Sequence, residues 1–92
     1  MLGQRINTLR IALGWSQVQL AEKLSISKQT VSNWENDNIQ PSIEMLVRIS
    51  KLFHVSTDYL LGLDNKQTID VTSLPQPFIA HLTQIIEDYK QK

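Results

Sequence analysis

The chain has 92 residues, nine of them basic and nine acidic, so its formal net charge is zero. A chain of this length buries one modest core, and we expect one small domain plus an appendage, without room for a separate catalytic or effector domain. The absence of cysteine excludes disulfides and thiolate metal sites, and the neutral balance argues against a nucleic-acid binder that relies on net positive charge.

The first predicted element is an amphipathic helix over about residues 2–13, with Gly14 as its C-cap. Its predicted inner stripe consists of Leu2, Ile6, Leu9 and Leu13. The N-terminal residues therefore enter a folded helix and do not resemble a signal peptide. No apolar run in the sequence approaches the ~20 residues that span a bilayer. We expect a soluble protein of the cytoplasm.

Three serines further along predict where helices begin. Ser16, Ser27 and Ser56 each follow an apolar residue and precede another at the fourth helical position, as helix N-caps do. Gln19 adds the side chain that completes a capping box with Ser16. The helices predicted from these signals run over about 17–24, 28–36 and 57–61.

The residues between Ser16 and Glu35 predict a helix-turn-helix unit. Their apolar positions are Val18, Leu20, Ala21, Leu24, Ile26, Val31 and Trp34. These positions change phase across Ser25, so one helix cannot bury all of them, whereas two helices that cross steeply can. Because Val31 and Trp34 fill the inner side of the second helix, its small polar residues face outward. Such a face suits the base edges of a DNA major groove.

A turn-rich loop over 36–41 precedes Ser42, which we predict to cap a further helix over about 43–54. The apolar residues of this helix recur at helical spacing, which indicates one buried side. Those predicted to face the core are Ile43, Leu46, Val47, Ile49 and Phe53.

The composition changes after Gly62. Residues 63–76 are polar with little periodicity and predict an extended linker, and residues 77–92 begin with Pro77 and predict an amphipathic C-terminal helix. Its apolar stripe consists of Phe78, Ile79, Leu82, Ile85, Ile86 and Tyr89. We expect this stripe to mediate homodimerisation, because an isolated helix of this length is marginal in water. Packing in cis against the chain's own domain is the alternative.

Several motifs at fixed spacing resemble those of the Cro/C1-type, or XRE-type, helix-turn-helix regulators. The matching residues are Gly3-Gln4-Arg5-Ile6, Leu9-Arg10, Gly14-Trp15-Ser16-Gln17, Leu20-Ala21, Ile26-Ser27, Val31-Ser32-Asn33-Trp34-Glu35, Pro41 and Phe53-His54-Val55-Ser56-Thr57-Asp58-Tyr59-Leu60-Leu61-Gly62. The resemblance implies an all-α, five-helix, lambda-repressor-like DNA-binding domain over 1–62, followed by the linker and the C-terminal helix. Ser25 and Asp37 depart from the pattern, because they stand where the family often has glycine, at positions that tend toward positive φ.

The second helix of the predicted unit carries the candidate base-reading residues. They are Lys28, Gln29, Thr30, Ser32 and Asn33. Gln29 and Asn33 are four residues apart, so they share one face, and each amide offers adenine a donor and an acceptor. Contacts to the DNA backbone are expected from Arg10, Gln17, Ser27, Asn36 and Asn38. For Gln17 this role is implied by the family resemblance, and the helix N-terminus beside it favours anions.

Two functions remain open from the sequence. The first is a sequence-specific transcriptional regulator, a repressor, that binds double-stranded DNA as a homodimer on a pseudo-palindromic operator. The second is a protein-interaction module on a helix-turn-helix scaffold, such as an antitoxin-like partner. The polar recognition face and Gln17 favour the first, whereas the neutral charge and the apolar C-terminal helix favour the second. Residues 1–62 hold six basic and five acidic side chains, so many phosphate contacts would fall to helix N-termini and neutral amides.

No arrangement of residues in the sequence predicts an enzyme or a cofactor. Paired carboxylates, a histidine beside a nucleophile and a phosphate-cradling glycine-rich loop are all missing, and the three glycines lie at predicted helix ends. His54 and His81 are lone histidines without a partner at metal-ligand spacing, so we predict no metal site.

Overall fold

The computed structural model describes residues 1–91 and shows six α-helices, with no strand, in that part of the chain. They are α1 (Leu2–Ala12), α2 (Gln17–Leu24), α3 (Lys28–Glu35), α4 (Ile43–Phe53), α5 (Thr57–Leu60) and α6 (Gln76–Lys90). The all-α prediction is confirmed. The first five helices begin at the predicted residues, and α6 begins one residue earlier than predicted.

Serine side chains start four of the helices, as predicted. The Ser16 hydroxyl accepts a hydrogen bond from the backbone N–H of Gln19 at 3.0 Å, and the Ser16 N–H donates to Gln19 Oε1 at 2.7 Å, which completes the capping box. The Ser27, Ser42 and Ser56 hydroxyls each accept from the backbone N–H three residues later. Each cap satisfies a donor that has no partner inside its helix, so the helix starts are encoded locally.

Within residues 1–91, three residues other than glycine adopt the left-handed backbone conformation. Ser25 and Asp37 have φ angles of 57° and 58°, as expected from their positions in the family pattern. His54 also has a φ of 58°, which the sequence did not indicate. It is the C-cap of α4, and its left-handed turn brings the N–H of Val55 within 3.1 Å of the Ser50 carbonyl oxygen.

The core lies among α1 to α5. Its largest fully buried side chains are Ile6, Leu20, Val31, Ile49 and Leu60, one from each of the five helices. This shared burial joins the five helices into one hydrophobic core. Gly3 lets α1 approach α3 closely, because a Cβ at this residue would collide with the backbone carbonyl oxygens of Trp34 and Glu35. The contact holds the C-terminal end of α3 against α1.

The end of α1 differs from the prediction. The helix stops at Ala12, and Leu13 rather than Gly14 is its C-cap. Leu13 therefore lies beyond the helix and is 52% exposed instead of belonging to the inner stripe. Gly14 follows with a φ of 74°, so it supplies the left-handed turn that leads toward α2.

The buried side of α4 is shorter than predicted. Ile49 and Phe53 are buried and Leu46 is half-buried, as expected. Ile43 and Val47, however, are 83% and 38% exposed. All buried residues of α4 lie in its C-terminal half, and its first turn contributes only the half-buried Met45 and Leu46 to the core.

Residues 61–75 connect α5 to α6 without a helix or strand. Long-range hydrogen bonds join this segment to the domain: Arg5 Nη2 donates to Asn65 Oδ1 at 3.3 Å, the Tyr59 hydroxyl donates to Gln67 Oε1 at 3.2 Å, and the Asp70 N–H donates to the His54 carbonyl oxygen at 3.2 Å. None of the residues of α6 (Gln76–Lys90) is buried. Within residues 1–91 we find no helix with the length and hydrophobicity needed to cross a membrane.

Candidate nucleic-acid interface

α3 has one buried side and one open side. Val31 and Trp34 are 0% and 4% exposed and anchor the helix in the core. The structure brings all five predicted base-reading residues onto this short helix: Lys28, Gln29, Thr30, Ser32 and Asn33. Lys28 and Gln29 are exposed and the other three are half-buried. The open side is therefore polar, with a single charged side chain at its N-terminal end.

Side-chain hydrogen bonds run along the open side of α3. Gln29 Nε2 donates to Asn33 Oδ1 at 3.1 Å, and Asn36 Nδ2 approaches the Ser32 hydroxyl at 3.4 Å. The two residues of each pair are four positions apart, so they are neighbours on adjacent turns of the helix surface. Gln29 and Asn33 share one face of the helix, as predicted, and the hydrogen bond between them was not predicted.

The N-terminus of α3 is closed by its cap. The Ser27 hydroxyl accepts from the Thr30 N–H at 3.1 Å and lies 2.8 Å from the Thr30 hydroxyl. The Ser27 hydroxyl thus lies at the positive end of the helix dipole, where the first backbone N–H groups of α3 also favour an anion. A phosphate contact at Ser27 stays a prediction.

The loop after α3 places Asn36 and Asn38 beside the open side. Both residues are exposed, and the Asn38 N–H donates to the Asn33 carbonyl oxygen at 2.9 Å. Asp37 lies between them, but its carboxylate turns toward α1, where Oδ1 accepts from the Gly3 N–H at 3.2 Å. The two asparagines thus lie exposed at the C-terminal end of α3, and their contacts with the DNA backbone stay predictions.

A buried carboxylate connects the first three helices. Glu35 Oε1 accepts from Asn7 Nδ2 at 2.8 Å, from Arg10 Nη2 at 3.0 Å and from Gln17 Nε2 at 3.1 Å, while Oε2 accepts from Arg10 Nε at 2.7 Å. The side chains of Arg10 and Glu35 are only 12% and 4% exposed. This carboxylate, at the end of α3, thus accepts hydrogen bonds from side chains of both α1 and α2.

The same contacts decide the ionisation of this ion pair. Burial raises the pKa of Glu35, but hydrogen bonds from Arg10, Asn7 and Gln17 and the positive charge of Arg10 outweigh it, so the net shift is downward. The pKa of Arg10 is raised, because its hydrogen bond to Glu35 and the charge of that residue exceed the cost of burial. Both groups are therefore charged at neutral pH.

Arg10 has a different role from the one the sequence suggested. Besides its two hydrogen bonds to Glu35, its Nη1 donates to the Trp15 carbonyl oxygen at 2.7 Å. A guanidinium held inward by these partners does not support the predicted direct contact with a phosphate, so we remove Arg10 from the backbone-contacting set. Gln17, at the first position of α2, remains partly exposed at the surface.

Sequence reasoning missed Glu35 and Asn7 as parts of this site. Glu35 follows the buried Trp34 on α3, and Arg10 lies on α1 next to Leu9 of the inner stripe. Their positions next to core residues were the signal that could have predicted partial burial of the Glu35 and Arg10 side chains. The pairing itself joins residues 25 positions apart, which local periodicity does not reveal.

The stripe on α6 is largely open to solvent. Phe78, Ile85, Ile86 and Tyr89 are 51%, 55%, 53% and 77% exposed, and the remaining two predicted residues, Ile79 and Leu82, are half-buried. Four members of the stripe line an apolar groove of about 440 Å³ together with Ile69 and Val71 of the preceding segment. The chain's own domain therefore leaves most of the predicted dimerisation surface uncovered.

Comparisons with known proteins agree with this geometry. The Helix-turn-helix family HTH_3 matches residues 6–60. The HTH-type transcriptional regulator ImmR of Bacillus subtilis is 38% identical over 87 residues, which cover 95% of this chain and 68% of ImmR. The structure of the c2 repressor of Salmonella phage P22 with a synthetic operator matches with a TM-score of 0.65 at 34% identity, covering 70% of this chain and 97% of the repressor chain. A SinR–SinI complex matches with a TM-score of 0.63 at 26% identity over the whole of both chains.

These findings confirm the lambda-repressor-like fold and the resemblance drawn from the sequence motifs. The members of this family and the relatives named above are DNA-binding transcriptional regulators, not enzymes. The chain belongs to the helix-turn-helix family of DNA-binding transcriptional regulators, of the XRE or Cro/C1 type.

Proposed function

We propose that this protein is a repressor that binds a pseudo-palindromic operator as a homodimer and inserts α3 into the major groove. The observation that carries the proposal is the open side of α3, where uncharged amides and hydroxyls stand opposite the buried Val31 and Trp34. Base edges are read by such donor and acceptor groups. The P22 repressor, matched over 70% of this chain, is itself described in complex with an operator, which supports the same use here.

The proposed contacts divide into two sets. Bases are read by Lys28, Gln29 and Asn33, with Thr30 and Ser32 at the edge of the contact. Phosphates are met by Gln17, Ser27, Asn36 and Asn38. The first set determines sequence preference, and the second fixes the register of the protein on the DNA without reading sequence. A transcriptional regulator acts in the compartment that contains the DNA, which supports the expectation of a cytoplasmic protein.

The proposed organisation assigns DNA binding to residues 1–62, a linker to 63–76 and dimerisation to 77–92, of which Lys92 lies outside the described residues. An apolar stripe with four exposed side chains is costly in water unless something covers it. A second copy of α6 covers the stripe and supplies the two-fold axis that a pseudo-palindromic operator requires.

A second candidate function rests on the same stripe. The SinR–SinI structure, matched over this whole chain, is a complex between two different proteins. The exposed side chains on α6 would serve equally well as the contact for a different protein. In that case, the chain would be a protein-interaction module or antitoxin-like partner whose C-terminal helix engages another protein, as the alternative hypothesis from the sequence suggests.

Selection of bound duplexes from a randomised DNA library, with the full chain as bait, tests the proposal. We expect enriched sequences with two related half-sites whose centres are separated by about one helical turn or a multiple of it. Light scattering on the free protein should report a dimer. Recovery of no preferred duplex, together with a monomer in solution, would favour the protein-interaction function instead.

A further inference from the structure

The Glu35 carboxylate has a geometric relation to the proposed phosphate contact at Gln17. Glu35 is almost inaccessible, at 4% side-chain exposure, whereas Gln17 begins α2 and is partly exposed. Gln17 Nε2 donates to Glu35 Oε1 at 3.1 Å. A surface amide that is proposed to contact DNA thus donates a hydrogen bond, on its inner side, to a buried charged group.

The chemistry of the two groups determines which end of the amide turns inward. An ionised carboxylate only accepts hydrogen bonds, so the Gln17 side chain presents its NH₂ group, not its carbonyl oxygen, to Glu35. The same nitrogen carries a second N–H, for which the structure shows no acceptor within residues 1–91. A phosphate oxygen is an acceptor, so it is attracted by an N–H and repelled by a carbonyl oxygen. The orientation of this amide therefore decides whether Gln17 attracts or repels DNA.

Arg10 balances the negative charge of the Glu35 carboxylate, which would otherwise repel nearby phosphates. Its Nε and Nη2 lie 2.7 and 3.0 Å from the two oxygens of Glu35, so the pair adds no net charge close to the DNA backbone. Glu35 can then orient Gln17 without repelling the phosphates through an unbalanced negative charge. Asn7 adds a further donor at 2.8 Å, which helps to fix the carboxylate itself.

We propose that Glu35 is a positioning residue that orients the Gln17 amide so that an N–H is available to a DNA phosphate. This inference rests on the proposed DNA-binding function and deepens it. The proposal predicts a change in DNA affinity opposite in sign to the change expected from charge alone. Removing a negative charge near DNA should strengthen binding by charge alone, whereas loss of the orienting acceptor should weaken it for all sequences alike.

The test is a double-mutant cycle on the full chain, with a duplex selected from the random library as the probe. Glu35→Gln supplies one oxygen in place of two, and we expect it to weaken binding about 3- to 10-fold, the range of one hydrogen bond. In the Gln17→Ala background the same change should leave affinity unchanged or slightly raised. Glu44→Gln, an exposed carboxylate on α4, is the charge-matched control and should not depend on residue 17.

A second variant separates positioning from folding and charge. Arg10→Met combined with Glu35→Leu removes both members of the ion pair, leaves the net charge unchanged and leaves no unpaired buried charge. We again expect weaker binding with Gln17 and no change with Ala at this position. In the free protein, the side-chain amide NMR signals of Gln17 should shift in both variants, while those of Gln29 stay in place.

Three outcomes overturn the inference, and they differ in what else they affect. If Glu35→Gln weakens binding equally in both backgrounds, Glu35 has only a structural role and DNA binding stands. If Gln17→Ala does not change affinity, Gln17 is not a phosphate contact, and again DNA binding stands. If no duplex is selected at all, the proposed function fails and the inference fails with it.

Discussion

Gln29 and Asn33 form one hydrogen-bonded unit on the open side of α3, with Gln29 Nε2 and Asn33 Oδ1 3.1 Å apart. The bond uses one donor and one acceptor of the pair. It leaves the Gln29 oxygen as an acceptor and the Asn33 nitrogen as a donor. Adenine presents the complementary acceptor and donor, N7 and N6, in the major groove. This arrangement supports the proposal that Gln29 and Asn33 read an A·T base pair.

Replacing Gln29 by Ala should weaken operator binding by roughly 1–3 kcal/mol and relax the preference at one base pair per half-site. The reason is the loss of both a base contact and the bond that orients Asn33. Affinities for a panel of single-base operator variants measure the effect. A Gln29→Ala protein that keeps its full pattern of preferences would remove Gln29 from the base-reading set.

Gln17→Ala serves as the contrasting change. It removes a proposed phosphate contact, so it should weaken all members of the same panel nearly equally. The ratio between preferred and non-preferred duplexes should stay constant while absolute affinity falls. A selective loss at one base pair would show that Gln17 reads sequence.

Operator affinity should depend less on salt than is usual for a DNA-binding protein. The chain has nine basic and nine acidic residues, and three of the four proposed phosphate-contacting side chains are amides. The slope of log affinity against log salt concentration reports neutralised phosphates at roughly 0.9 per contact, and we expect about two to five ions per dimer. Titrations at several salt concentrations give this slope. A value near ten would contradict the proposed contacts.

Ile85→Glu should convert the proposed dimer to a monomer, because the change places a charge in the apolar groove of α6. Operator affinity should fall with it, since each monomer then binds only one half-site. Gln84→Glu, an equal change in charge at the neighbouring residue, is the control and should keep the dimer. Sedimentation and light scattering measure the two states. Unchanged assembly in the Ile85 variant would exclude α6 as the dimer contact.

Stability should fall in acid because of Glu35. Its folded-state pKa is lowered, so ionised Glu35 favours the folded state above the pKa of the unfolded chain, about 4.3. That contribution is lost as the pH falls from about 4.3 through the lower folded-state pKa. Urea unfolding between pH 7 and pH 3 should show a decline that is shallower in Glu35→Gln. Parallel profiles for the two proteins would contradict this assignment.

Gly3→Ala should destabilise the domain by about 1–3 kcal/mol, the usual cost of overpacking. A methyl group at this position collides with backbone carbonyl oxygens at the end of α3, which cannot rotate away as a side chain can. Thermal unfolding measures the loss. Gly14→Ala is the comparison: a Cβ there meets no atom within 4 Å, so its cost comes only from the left-handed backbone. Equal stability of Gly3→Ala and the unchanged protein would show that α1 can move away from α3.

The order and starts of the helices were predictable from the sequence because their signals are local. A serine cap such as Ser16 or Ser27 bonds to a backbone N–H three residues away, and apolar spacing repeats within one helix. The polar side of α3 followed from the burial of Val31 and Trp34. The left-handed turn at Ser25 could also be expected, because its position in the family pattern usually carries glycine.

Only the tertiary structure decided how distant residues meet. Arg10 was expected at a phosphate, but the approach of α1 to α3 at Gly3 brings it to Glu35, 25 residues away, and withdraws it from the surface. The exposure of Ile43 depends on how the first turn of α4 is oriented against the core, which no local periodicity records. Sequence alone therefore determined which helices form and which side chains could read DNA, whereas the packing of those helices decided which polar groups lie on the open surface and which bond to one another inside.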